Sequence, residues 1–104
     1  MTRDELLDLH EDTCERCREG MKRKNQDYAG ENAGSPFANF RTAKAVGVDP
    51  AKGILMRMLD KMKRVQSYVE RGDLKVKGEP VEDACDDLVN YSILLKGELI
   101  DRDE

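Results

Sequence analysis

The sequence predicts an all-α fold: a small bundle of three long helices and one short helix in a single domain of 104 residues. Apolar residues recur at helical spacing in three long segments, and each segment begins or ends at a capping signal. Charged residues and hydrophobic residues each make up 38% of the chain, and tryptophan is absent. This composition is typical of long amphipathic helices around a thin core, which oligomerisation often completes.

The first helix is expected at about residues 3–25. Thr2-Arg3-Asp4-Glu5 is a capping box, in which the threonine and glutamate side chains bind the free amides of the first turn. The apolar positions that follow have a strict three-four spacing: Leu7, His10, Cys14, Cys17 and Met21. A seam of this kind predicts that the helix packs lengthwise against a partner.

A loop is expected at residues 26–35, because glycines and asparagines replace the helical pattern there. Ser35-Pro36 then predicts the start of a short helix over about residues 36–46. A loop of this length between helices is uncommon, and such loops often carry function.

The third helix is expected at about residues 50–71, and the fourth at about 79–99. Asp49-Pro50 is an N-cap followed by proline at the first helical position, and Gly72 is a typical C-terminal stop. The third helix has the apolar face Ile54, Met58, Met62, Val65 and Val69. The fourth has Val81, Ala84, Leu88, Leu95 and Leu99. Residues 73–78 between them alternate weakly and predict a short extended piece.

An acidic stripe on the fourth helix is the most informative feature of the chain. At ~100° per residue, Asp83, Asp87 and Asn90 lie on one side of the helix, and Tyr91 follows them. No basic residue occurs between residue 79 and Lys96 to pair with these acids. Such a stripe suits a divalent cation, with Asp83 and Asp87 as magnesium ligands, or the cations of a partner. The alternative is an ordinary solvated acidic face.

A basic stripe on the third helix has the matching spacing, since Arg57, Lys61 and Arg64 recur at i, i+4 and i+7. The two stripes could pair as salt bridges between antiparallel helices. Alternatively, the basic groups hold a phosphate while the acids hold a metal or a ribose hydroxyl. The sequence leaves both arrangements open, because the stripes could face each other or point apart.

Three of the five aromatic residues lie in the predicted loop or shortly after it. A nucleotide base needs a flat surface for stacking and polar groups that read its edge. Residues of these types occur here: Asn25, Asp27, Tyr28, Phe37 and Asn39. The alternative is that Phe37 and Phe40, about one helical turn apart, close the end of the bundle.

The three cysteines raise the question of a metal or redox site. His10, Cys14, Cys17 and Cys85 could in principle form a tetrahedral zinc site. Structural zinc cysteines usually lie on turns, however, whereas Cys14 and Cys17 occupy consecutive seam positions of a helix. The sequence therefore favours cysteines packed in the core over a zinc site or a redox pair.

Charge and hydropathy exclude several partners. The net charge of −4 and the pI of about 5.1 argue against direct nucleic-acid binding. No apolar run approaches the length of a membrane span, and the start of the chain lacks a signal-peptide pattern, which predicts a cytoplasmic protein with reduced thiols.

Val89 and Ile93 form a second apolar patch on the fourth helix, from which we expect a homo-oligomer, by symmetry a dimer. The sequence leaves open whether a ligand pocket lies within one chain or between two.

Three ordered motifs resemble a known family. They are Lys24-Asn25-x-Asp27-Tyr28, Met58-x-Asp60-Lys61-x-x-Arg64 and Glu82-Asp83-x-x-x-Asp87-Leu-x-Asn90-Tyr91. In this order they resemble the nucleotide modification associated domain 1 family of phage and prophage proteins, over about residues 10–97. The resemblance implies a helical protein close to phage nucleotide metabolism or DNA-base modification.

A looser similarity is to the all-α NTP pyrophosphatases of the MazG and dUTPase-like kind. The last motif of those enzymes looks like Asp83, Asp87 and Asn90, and it binds magnesium together with a pair of glutamates on an earlier helix. The present chain departs from that pattern, since its third helix offers Asp60 among basic residues. Glutamates of the first helix could replace the missing pair if their face turned inward: Glu11, Glu15 and Glu19.

From these observations we expect a nucleotide-binding protein of phage type that acts without catalysis. It would support nucleotide or DNA-base modification, or sequester a nucleotide signal of host defence. One alternative is a magnesium-dependent nucleotide phosphohydrolase, in which the metal lowers the pKa of its bound water. Another is a regulatory or structural adaptor that uses the Val89 and Ile93 patch.

Overall fold

The computed structural model describes residues 1–29, 37–72 and 80–102, with the backbone alone for residues 25–29, 38 and 39. These residues form four α-helices: α1 (Arg3–Ala29), α2 (Ala38–Arg41), α3 (Pro50–Arg71) and α4 (Val81–Asp101). A 3-10 turn, Thr42–Val46, continues from α2. The described part of the chain is helical apart from short connections, which confirms the all-α fold. None of its helices is both long and apolar enough to cross a membrane.

Three of the helix-end signals read from the sequence are confirmed, whereas Ser35-Pro36 lies outside the described residues. The Glu5 amide donates to Thr2 Oγ1 at 3.1 Å, and the Thr2 amide donates to Glu5 Oε2 at 3.3 Å. At the start of α3, Asp49 Oδ1 accepts from the Ala51 amide at 2.8 Å. Gly72 ends α3 in the left-handed region, with φ of 81°. Each of these helix ends is set by residues within one turn of it.

The helix boundaries differ from the predicted ones in three places. α1 continues to Ala29, so residues 26–29 are helical and the predicted loop start was wrong. The reason is local: between Lys24 and Ala29 no glycine or proline interrupts the helix. The predicted short helix divides into α2 and the 3-10 turn, and α4 begins after Pro80 and ends at Asp101. The rest of the predicted loop (residues 30–35), the predicted helix start at Pro36 and the predicted extended piece at 73–78 lie outside the described residues.

Helices α3 and α4 pack antiparallel and form the main contact of the fold. Lys61 pairs with Asp87, and Asp49, before α3, pairs with Arg102, after α4, which sets the register of the two helices. Ile54 of α3 and Ala84 of α4 are completely buried. The other buried apolar residues are Cys17, Phe37, Pro50 and Ala51. The core is thus small for a chain of this length.

The predicted seam of α1 is used over part of its length. Cys17 is buried and Met21 is half-buried, whereas Leu7, His10 and Cys14 are exposed. The prediction of a core position was therefore wrong for Cys14; Cys85, on α4, is also exposed. The contacts between α1 and α4 begin at Arg16 and Cys17, so among the described residues the earlier half of the seam has no helix to pack against.

The outer parts of the α3 and α4 apolar faces are also exposed. Met62, Val69 and Leu99 were predicted to lie in the core, but they are 54%, 76% and 44% exposed. The chain has a radius of gyration of 15.6 Å, compared with about 13 Å for a compact domain of this length. The hydrophobic faces therefore extend beyond the area that one copy of the chain covers.

The two phenylalanines tie the α2 region to the long helices. A side chain built at Gly97 of α4 would place its Cβ 2.9 Å from Phe37 Cζ, so this ring lies directly on the glycine. A Cβ built at Gly53 of α3 would lie 3.5 Å from Phe40 Cδ1. Phe37 and Phe40 thus contact one long helix each, as the bundle-closing interpretation predicts.

Candidate functional site

Asp87 lies where three helices meet. Lys61 Nζ of α3 is 3.0 Å from Asp87 Oδ2, and Lys24 Nζ of α1 is 3.7 Å from Asp87 Oδ1. Lys61 and Asp87 are largely buried, with 16% and 23% of their side chains exposed, whereas 60% of Lys24 is exposed. We call Lys24, Lys61 and Asp87 the two-lysine cluster; its formal charge is +1. The acidic and basic stripes therefore face each other at this position.

Asn90 lies one helical turn beyond Asp87. Its Nδ2 donates to the Cys17 carbonyl oxygen of α1 at 3.0 Å, which fixes the orientation of the amide. Its Oδ1 is fully buried and has no hydrogen-bond partner among the described residues. A buried amide oxygen is usually paired, and an orphan in a folded protein calls for a specific explanation, such as a bound water or ligand.

The other members of the two stripes lie around this cluster without joining it. Arg57 and Asp83 are exposed, and Tyr91 is half-buried. Arg64 Nη2 is 3.5 Å from Asp60 Oδ2 of its own helix. Within the described residues, the direct salt bridge between the two stripes is that of Lys61 with Asp87. The other predicted pairs between the stripes are not observed there.

The aromatic part of the predicted site is less open than expected. Phe37 is buried on Gly97, and the Arg41 guanidinium lies 5.0 Å from the centre of its ring. The ring is therefore packed by the protein itself, so we leave Phe37 out of the proposed binding site. The side chains of Asn25, Asp27, Tyr28 and Asn39 lie outside the described residues.

Arg16 and Asp86 form a second link between α1 and α4 that the sequence analysis missed. Arg16 Nε and Nη2 donate to the two Asp86 carboxylate oxygens at 2.9 and 3.1 Å, and this hydrogen bonding raises the pKa of Arg16. The adjacent Cys17 thiol donates to the Asp86 carbonyl oxygen at 3.6 Å, and burial raises the pKa of Cys17. Asp86 lies beside the predicted stripe in sequence but was not part of it, and nothing in the spacing of α1 indicated that Arg16 would reach it.

The residues proposed for metals do not assemble a metal site in the described part of the chain. No group of three or more histidine, cysteine, aspartate or glutamate side chains converges there. Asp87 is occupied by two lysines and Asp83 is exposed, so this pair does not match the several oxygen ligands that magnesium prefers. Cys14 Sγ lies 3.8 Å from His10 Nδ1 on the surface of α1. We derive no metal-assisted step from these residues.

A second charged network surrounds Glu98, which is 1% exposed. Arg41 donates to Glu98 Oε2 through Nε and Nη2, at 3.1 and 2.8 Å, and to Asp101 at 2.7 Å. Arg102 contacts Glu98 Oε1 at 3.4 Å and pairs with Asp49. These hydrogen bonds raise the pKa of both arginines. The sequence analysis missed this network, although Glu98 falls on the same side of α4 as Ala84, where a charge is unusual.

A shallow cleft of about 360 Å³ lies beside this network, at the turn before α3. It is lined by Lys44, Gly47, Val48, Asp49, Pro50 and Arg102. The cations in its wall are Lys44, which is exposed, and Arg102, which already pairs with Asp49. No unpaired buried cation lines the cleft among the described residues. The ion pairs of Glu98 instead connect α2, the start of α3 and α4.

Asp49 gives the network a pH dependence. Hydrogen bonds from Arg102, and then from the Ala51 amide, lower the pKa of Asp49 below its ordinary value. A carboxylate with a lowered folded-state pKa stabilises the fold fully above its unfolded pKa, and loses that contribution as the pH falls through the folded pKa. We expect Asp49→Asn, which can still cap α3, to melt below the wild type at about pH 7; the difference should begin to shrink near about pH 4, the ordinary aspartate pKa, and should vanish only below the lowered folded-state pKa. Thermal melts across this range test it; a difference that stays constant down to low pH would contradict it.

Comparison with protein-family models, with curated proteins and with solved structures finds no match to this chain.

Proposed function

We propose that this chain is a phage-type nucleotide-binding protein that holds its ligand at the two-lysine cluster without catalysing a reaction. It would act in nucleotide or DNA-base modification, or sequester a nucleotide signal of host defence. One observation carries the proposal: the three motifs of the family resemblance each contribute a member of the cluster. Lys24 comes from the first motif, Lys61 from the second and Asp87 from the third.

The chemistry of the cluster suits a phosphate group. Two ammonium groups share one carboxylate, so a positive charge remains for an anion. Lys24 is the mobile partner, because its side chain is 60% exposed and its distance to Asp87 is the longer one. Lys24 can therefore turn to a phosphate while Lys61 stays paired with Asp87.

Asn90 supplies the polar acceptor that a nucleoside needs. Its Oδ1 lacks a donor among the described residues, and it lies one turn from Asp87 on the same helix. A ribose hydroxyl, a base N–H or an ordered water can donate to such an oxygen. The proposed ligand therefore combines an anionic group at the lysines with a hydrogen-bond donor directed to Asn90.

The same residues support binding without hydrolysis. Hydrolysis by the pyrophosphatase route would need Asp83 and Asp87 as magnesium ligands together with further carboxylates. Asp87 instead makes ion pairs with two lysines. This favours a binder over the phosphohydrolase alternative.

The test is a binding assay with a panel of purified nucleotides and Mg²⁺, in which both retained ligand and ligand mass are measured. We expect at least one nucleotide to be retained unaltered by the wild-type protein. Lys61→Met should weaken its binding by about tenfold or more, because the cluster loses its net positive charge and Lys24 is left as the partner of Asp87. Lys63→Met is the matched control, since Lys63 is exposed and lies on the other side of α3.

The outcomes separate the three functions. Conversion of the nucleotide would identify the hydrolase and contradict the proposal. Absence of binding across the panel would leave the adaptor as the remaining candidate. Equal loss of affinity in Lys61→Met and Lys63→Met would show that binding depends on general surface charge and not on the two-lysine cluster.

A further inference from the structure

The chain exposes more surface than a compact monomer of its mass. Its accessible area is 8091 Å², whereas a monomer of 11.8 kDa is expected to expose about 5,900 Å². The difference of about 2,200 Å² exceeds the roughly 800 Å² per partner that a typical stable interface covers. The excess is large enough to accommodate an extensive contact with another chain.

The outward face of α3 carries a row of exposed apolar side chains. Leu55, Leu59, Met62 and Val69 are spaced by four, three and seven residues, which is a heptad pattern. Their exposed fractions are 45%, 56%, 54% and 76%. Within this seam the position between Met62 and Val69 is Gln66, which is uncharged. A seam of this kind normally faces another helix.

The α3 seam continues onto α4. On α3, Lys61 lies on one side of the buried Ile54, and Leu55 and Met62 lie on the other. On α4, Asp87 lies on one side of Ala84, and Leu88 and Leu99 lie on the other.

The antiparallel pairing of Lys61 with Asp87 brings the two polar sides together, so the two apolar sides also adjoin. Lys24 of α1 reaches Asp87, which places α1 on the polar side. We call the opposite side the α3/α4 face.

We propose that a second copy of this chain covers the α3/α4 face, so that two α3–α4 hairpins form a four-helix bundle. A dyad axis across this face would set the same apolar seam against itself, as two-fold interfaces require. The contact buries residues that one chain leaves exposed, and it leaves α1 and the two-lysine cluster on the outside. It differs from the Val89 and Ile93 patch, and it does not depend on nucleotide binding.

Sedimentation of the purified chain, at about 100 µM and in tenfold dilutions, tests the assembly. We expect the wild type to sediment with twice the mass of one chain. Leu59→Glu and Val69→Glu should raise the dimer dissociation constant roughly a hundredfold or more, because each places a carboxylate in an apolar contact. Ile93→Glu is the matched control, because Ile93 is equally apolar and 53% exposed but lies off this face.

A second measurement uses the wild-type chain and does not depend on how the variants fold. Under mild peroxide, Met1 and Met62 are both oxidisable when exposed, and they are 85% and 54% exposed in the single chain. At a concentration where the chain is dimeric, Met62 should be oxidised several-fold more slowly than Met1. On dilution the two rates should converge.

Three results would overturn the proposal. One is a wild type that sediments as a single chain at the highest concentration. Another is a dimer that persists in Leu59→Glu but dissociates in Ile93→Glu, which would place the interface at the Val89 and Ile93 patch. The third is an assembled wild type in which the relative oxidation rates of Met62 and Met1 do not change with concentration.

Discussion

Replacing Arg41 by methionine is expected to destabilise the protein more than replacing Glu98 by glutamine, although Arg41 is the more exposed residue. Glu98→Gln removes a buried charge and weakens its hydrogen bonds, at a cost of about 1–3 kcal/mol. Arg41→Met leaves the Glu98 carboxylate buried, with the longer contact to Arg102, at 3.4 Å, as its remaining ion pair among the described residues. An underpaired buried charge costs more than the loss of the whole pair. Urea unfolding of both variants measures the difference.

The double variant Arg41→Met with Glu98→Gln isolates the cause. If the unpaired carboxylate is responsible, adding Glu98→Gln to Arg41→Met should restore part of the lost stability. Arg57→Met, a change of the same size at an exposed arginine of α3, serves as the control and should alter the unfolding midpoint little. A double variant less stable than Arg41→Met alone would show that Arg41 acts through packing on Phe37 and not through the charge.

Gly97→Leu is expected to destabilise the fold strongly. The Phe37 ring lies so close to Gly97 that even a methyl group would come within 2.9 Å of it. A leucine would have to displace a buried ring from the contact between α2 and α4, and overpacking of this kind costs about 1–3 kcal/mol or more. This loss exceeds the gain of about 1 kcal/mol that replacing glycine normally brings to a helix. Thermal and urea unfolding are the measurements.

Gly20→Leu is the control for helix propensity. Gly20 lies within α1, and the nearest atom to a Cβ built there is Arg23 Nη2 at 4.0 Å. The same substitution should therefore leave stability unchanged or raise it slightly. If Gly97→Leu and Gly20→Leu behaved alike, the packing of Phe37 on Gly97 would not be a determinant of the fold.

The helices and their ends follow from the sequence because they depend on neighbouring residues. The Thr2 and Glu5 capping box, the Asp49-Pro50 start and the Gly72 stop all act within one turn of the chain, and each is observed as predicted. The continuation of α1 to Ala29 was missed because amphipathic spacing weakens there, although no residue before Gly30 breaks a helix.

The candidate site could be predicted in its parts but not in its arrangement. Periodicity placed Lys61 on a basic stripe and Asp87 on an acidic stripe, and it left open whether the stripes meet. Their contact at 3.0 Å depends on the register of α3 against α4, which no local pattern specifies. Lys24 belonged to the first motif of the resemblance, and its approach to Asp87 follows from the position of α1.

The sequence by itself determined the helical class, the helix ends and the residues that carry charge on each helix, because spacing and capping are local properties. Tertiary structure alone decided which members of a seam are buried: Cys17 packs against α4, whereas Cys14, one turn earlier, is exposed. It also decided that Glu98 is buried with Arg41, 57 residues away in the chain. Burial depends on which helix covers which face. Which helix covers which face depends on how all the apolar faces compete for one small core. The spacing of residues within a single helix carries no information about that competition.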